Sequence, residues 1–164
     1  MDFSRLDMRR TIVGGMAAIL LIAALLFLPW FSLTDVPQRA EQGSWLCGEN
    51  QFSCTGYETF PILRWLLIAA ALSPAILAYI LVRGHKTTWP TGEMTMVVGF
   101  TAFALILYNG IIDIPGPAEA PEFGESLDWG YWVALVAALG IGATGFLRSS
   151  EERGPVRRKA PGTV

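Results

Sequence analysis

Residues 11–34 read TIVGGMAAILLIAALLFLPWFSLT, a run without one Asp, Glu, Lys or Arg. A helix rises about 1.5 Å per residue and the hydrocarbon core of a bilayer is roughly 30 Å thick. The run is therefore long enough to cross a membrane. Three more runs share the property, at 65–82, 94–112 and 129–147. A core helix of a soluble protein carries a polar face, and these four show almost none. Barrel strands would alternate apolar and polar residues in segments of about ten; that alternation is absent, and the Leu, Ile, Ala, Val, Phe and Gly content favours helix. Composition agrees, because the 164 residues are 52% hydrophobic and only 16% charged, against about a quarter charged in a soluble domain.

The pattern predicts an all-α fold, a four-helix transmembrane bundle with a disulfide-bearing first outer loop. Its spans fall at 11–34, 60–82, 94–113 and 129–147, with an N-terminal segment at 1–10 and a tail at 148–164. Outer loops occupy 35–59 and 114–128, and an inner loop 83–93. The first run follows Arg5, Arg9 and Arg10, as a secretory signal would. It is too long for a signal's apolar region and ends in Pro29, Trp30 and Phe31 rather than a small-x-small cleavage site, so it is expected to remain as a span. No lipid-anchor pattern stands at either end. The second outer loop, IDIPGPAEAPEFGESLDWG, holds Pro115, Pro117 and Pro121, and Pro115 should stop the third span near Ile114. The charged tail is expected to be disordered.

Cytoplasmic flanks collect Lys and Arg. With the N-terminus inside, ten basic residues lie on that side: Arg5, Arg9, Arg10, Arg83, Lys86, Arg148, Arg153, Arg157, Arg158 and Lys159. Only Arg39 and Arg64 fall outside. The reading is a multi-pass protein of the inner (plasma) membrane with both termini cytoplasmic. Aromatic residues flank the same boundaries: Trp30, Phe31, Phe60, Trp65, Trp89, Trp129, Tyr131 and Trp132. An interfacial belt at the headgroup level is the first reading of this set, and a ligand-binding aromatic cage the second.

Cys47 and Cys54 are the chain's two cysteines, both in the first outer loop. An oxidising compartment permits a disulfide there, and closing so short a loop contributes about 2–3 kcal/mol on the chain-entropy argument. A redox-active pair, or thiols that are free or metal-bound, are the alternatives. Four-span quinone-linked thiol oxidases resemble this layout but use C-x-x-C and further cysteines, where this chain has C-x6-C alone. The order of Trp45, Cys47 and Cys54 is similar to claudin-like outer loops, although the loop is too short to be expected to form that family's extracellular sheet.

No ionisable residue lies in the middle of any span, which argues against a proton relay. Two charges stand just inside the outer boundary, Arg64 near the start of the second helix and Asp113 near the end of the third. Each opposes its own helix dipole. An interhelical Arg64–Asp113 bond would relieve both, with Asn109 one turn away able to join the patch; independent snorkelling to the headgroups is the alternative. Pro74 should kink the second span, for packing or as a hinge. In the fourth span, GIGATG (140–145) matches a nucleotide-loop pattern literally but ends a membrane helix, so it is set aside. Ala134, Ala138 and Gly142 recur every four residues as a small-xxx-small stripe for close helix approach, within the bundle or between copies. His85 has no companion ligands, and Glu151 and Glu152 dilute any attraction of the basic tail to anionic lipid.

Over most of its length the chain resembles a group of uncharacterised four-span membrane proteins of high-GC Gram-positive bacteria. The likeness is carried by FLPWF (27–31), LYNGIIDIPG (107–116) and GYWVALVAALGIGATGF (130–146). It implies a membrane bundle and brings no activity, cofactor or catalytic residue. The function expected is a non-enzymatic accessory, scaffold or assembly subunit acting through helix packing and outer loops, without cofactor or metal. Its partners are the lipid bilayer and another membrane protein or a second copy, not nucleic acid. An oligomeric small transporter or channel component is the alternative. A membrane enzyme is disfavoured, since the chain has one His.

Overall fold

The structure, a computed structural model, describes residues 8–33, 53–83, 90–113 and 125–152. Helix α1 (Met8–Phe27) leads into strand β1 (Pro29–Leu33), and β2 (Ser53–Thr55) into the single turn α2 (Gly56–Thr59). Then come α3 (Leu63–Val82), α4 (Thr91–Leu107) prolonged by a π-helical turn (Tyr108–Ile112), β3 (Glu125–Leu127) and α5 (Trp129–Glu152). Trp45, Cys47, His85, Trp89 and the tail beyond 152 lie outside the described residues.

Four helical stretches are long and apolar enough to cross a membrane: Arg9–Phe27, Leu63–Val82, Thr91–Ile112 and Trp129–Ser150. Their outward faces are apolar as well, with Met16, Ile19, Leu72, Ile76, Val97, Val136 and Phe146 all exposed. In water such a girdle would cost about 25 cal/mol for each Å²; against lipid tails it costs nothing.

Helix α5 is the spine, with 50% of its apolar stretch buried in the bundle against 22–28% for the other three. Its closest neighbour is α4, then α1; α1 also packs on α3, and a looser α3–α4 contact closes the ring. Glycines make the antiparallel α4–α5 seam. A methyl group at Gly99 would land on the backbone of Gly142, one at Gly145 on Met96, and one at Gly92 on Ser149. Helices in lipid gain from such close van der Waals approach, because hydrophobic burial no longer drives them together. In α3, the Ser73 hydroxyl donates to the Ala70 carbonyl at 2.8 Å, the acceptor that Pro74, lacking an N–H, leaves unused.

Two expectations are corrected. The first helix ends at Phe27, not near residue 34. Pro29 has no N–H to donate and disfavours helix at Leu28, and an apolar run does not by itself distinguish helix from buried strand. The fold is mostly helical with four span-length helices, as expected, but helices are not its whole content. Three short strands form one antiparallel sheet in the order β2-β1-β3. Phe31 pairs with Cys54 on one side and with Leu127 on the other. The first outer loop is too short for a claudin-like extracellular sheet, and the sheet seen here is not built within it alone. The strands instead grow from residues flanking α1, α2 and α5, so the length of chain between them does not limit the pairing.

Candidate functional site

The sheet caps one end of the bundle, where α1 and α4 finish and α3 and α5 begin. A regular strand sends neighbouring side chains to opposite faces, yet Trp30 and Phe31 are both fully buried. The register of β1 against β2 shifts between Pro29 and Phe31, leaving Trp30 as the extra residue of a bulge that re-aims its side chain. The indole then meets Phe60 at 6.0 Å and Tyr131 at 5.9 Å, while Phe31 meets Phe60 at 5.9 Å, all edge to face. That geometry suits the ring quadrupoles.

Polar atoms in this core are bonded. Trp30 Nε1 donates to the Ala24 carbonyl at 2.9 Å, one of the last carbonyls of α1 and so without a partner along its own helix. The Tyr131 hydroxyl donates to the Ile106 carbonyl at 3.3 Å. Close approach of the two rings needs glycine beside each: a methyl on Gly56 would strike the Trp30 ring, and one on Gly110 the Tyr131 ring. Gly110 sits in the π-helical turn, which closes with the Asp113 N–H donating to the Tyr108 carbonyl at 2.9 Å. Such wider turns are rare and occur mostly as single turns within α-helices.

The backbone ties sheet to helices. The Asp128 N–H donates to the Trp30 carbonyl at 2.8 Å, and the Asp128 carboxylate accepts from the Trp129 N–H at 2.7 Å, a favourable charge at the start of α5. Ser32 and Ser126 hydroxyls meet across β1 and β3 at 2.8 Å. Thr55 and Glu58 form a capping box: the Thr55 N–H donates to Glu58 Oε2 at 3.0 Å and the Glu58 N–H to Thr55 Oγ1 at 3.4 Å. That box starts α2 at Gly56, beneath the indole.

Arg64 and Asp113 are not joined. The Arg64 guanidinium lies over the Tyr57 ring at 4.7 Å and the Trp65 ring at 5.5 Å, and donates to the Tyr57 carbonyl at 3.4 Å. Two π-faces and a carbonyl on adjacent turns take the cation locally. Asp113 is exposed beyond the π-helical turn. The Asn109 amide donates back along its own helix to the Leu105 carbonyl at 2.9 Å, so the expected three-residue patch is not assembled. Arg64 Nε is buried without a hydrogen-bond partner.

The aromatic residues divide. Trp30, Phe31, Phe60 and Tyr131 are core, not belt, whereas Trp65, Trp129 and Trp132 are more than half exposed at the same level. In the fourth span Ala134 and Ala138 are fully buried, and Gly142 faces α4 at Phe100. The glycine-rich GIGATG segment is continuous helix. Cys54 is buried and no cysteine among the described residues is free. Among the described residues no three His, Cys, Asp or Glu stand close enough to hold a metal.

The sheet was missed in the sequence, but two signals for it stand there. Thr55-Gly56-Tyr57-Glu58 has the capping-box spacing, and Pro29 directly precedes two large aromatic residues. No family model matches the chain, and neither a curated protein nor a solved structure does.

Proposed function

We propose that the protein is a non-enzymatic envelope scaffold or accessory subunit, which holds the sheet as a rigid platform on the outer face of the plasma membrane. One observation carries this reading: the segments flanking α1, α2 and α5 are stitched into a sheet and seated on a buried core of Trp30, Phe31, Phe60 and Tyr131. A bundle needs no such cap to span lipid. A fixed surface for a partner does.

The orientation follows the basic residues. Arg9, Arg10, Arg83 and Arg148 lie at the end away from the sheet, and Arg64 at the sheet end; the richer side faces the cytoplasm. The sheet and both cysteines then face an oxidising compartment, where Cys47 and Cys54 form a structural bridge that ties the first outer loop to β2. Maleimide labelling with and without reductant reads that bridge: no adduct before reduction and two after. The three pieces behind the likeness to four-span proteins of high-GC Gram-positive bacteria supply Trp30, Gly110 and Tyr131, which meet in this core. Placing the chain in that group belongs to the same proposal.

The test is affinity purification in mild detergent with quantitative mass spectrometry, comparing the wild type with Arg64→Gln and with a Ser32→Asp/Ser126→Asp pair. The expected result is a stoichiometric membrane or envelope protein that the wild type retains and the platform variants lose. Retention of the same protein by both variants, or solute flux through the purified protein in liposomes, would overturn the reading.

A further inference from the structure

At the end of the bundle away from the sheet, α1, α3, α4 and α5 surround a cavity of about 360 Å³, within the range of small-ligand sites. Its deep walls are apolar, including Ala18 of α1 and Pro74 of α3, while Arg10 and Arg148 line it together with the hydroxyl residues Thr11 and Thr144. Arg10 starts one span and Arg148 nearly ends another, so both stand at headgroup depth while the apolar part lies at tail depth. Arg10 is held there by donating to the Leu147 carbonyl at 2.9 Å. The first turn of α1 opens at this end, and its partial positive charge adds to the two guanidiniums; the first turn of α4 carries Glu93.

We propose that this cavity binds one anionic phospholipid, its phosphate between Arg10 and Arg148 and an acyl chain against the small-residue walls of α1 and α3. Charge and depth together fit this occupant: two guanidiniums at the rim match a phosphate, and a membrane-level apolar cleft matches a tail. A guanidinium presents a planar fork of donors suited to phosphate oxygens. The inference does not depend on which side of the membrane carries the platform.

Native mass spectrometry of the full chain, released from nanodiscs of phosphatidylglycerol and phosphatidylcholine in equal parts, reads the site directly. The wild type is expected to retain one phosphatidylglycerol at least fivefold over phosphatidylcholine. Arg10→Gln with Arg148→Gln should abolish that preference, and Arg83→Gln, a basic change at the same end outside the cavity, should keep it. Gly15→Leu tests the tail pocket with both arginines intact: Gly15 lines the cavity and has no atom near its missing side chain. This variant should keep the wild-type melting temperature and lose the bound lipid. Equal retention of the two lipids by the wild type, an equal loss in Arg83→Gln, or full retention in Gly15→Leu would overturn the proposal.

Discussion

The two ends of this bundle are built from the same four helices and are finished in opposite ways. At the sheet end, four large aromatic residues fill the space between helix termini, and strands bind those termini to one another. At the other end the helices bring Gly14, Gly15, Ala18 and Ala75 to the same position, and a cavity remains. The glycine seam of α4 and α5 runs between the two ends, from Gly92 to Gly110 on one helix and from Ser149 to Tyr131 on the other. Helix packing therefore does not decide which end is filled. Side-chain volume does: large aromatic rings close one end, and small residues leave room at the other.

The largest blow to that contrast is Trp30→Ala. Removing a fully buried indole should cost about 3–5 kcal/mol, seen as a large fall in detergent melting temperature with the sheet loosened first. A loss below about 1 kcal/mol would mean the sheet end is no better packed than the other. Next is Gly110→Ala, which places a methyl against the Tyr131 ring; overpacking of this kind costs about 1–3 kcal/mol and should appear in the same melt. Glu58→Ala removes half of the capping box and should cost about 1 kcal/mol. Smallest is Gly15→Ala at the open end, where nothing lies near the new methyl. It should be neutral or raise stability by up to about 1 kcal/mol, since alanine favours helix over glycine. A destabilising Gly15→Ala would deny that this end is open.

The helices were legible because absence of charge over a membrane thickness is a signal that no neighbouring segment alters. Trp129 and Pro115 marked boundaries for local reasons of the same kind. The sheet was hidden because its strands are three to five residues long and one of them continues an apolar helix without a break. Period alone reads Trp30 and Phe31 as the end of a span; only pairing with residues far along the chain turns them into a strand. The expected Arg64–Asp113 bond failed for a related reason. Opposite charges at similar depth suggested a pair, but Tyr57 and Trp65 are nearer in sequence and take the cation first. Ala134, Ala138 and Gly142 were visible as a stripe, while their opposite number on α4, with Gly92 and Gly99 as its tightest points, was not singled out.

Hydrogen–deuterium exchange of the full chain in nanodiscs tests the central claim, that the sheet end is a rigid platform rather than loosely ordered loop. Peptides covering 29–33 and 125–128 should exchange as slowly as the buried turns of α5, and Trp30→Ala should release those peptides while the α4–α5 seam stays protected. Exchange of the two strands within seconds in the wild type, beside protected helices, would contradict the account.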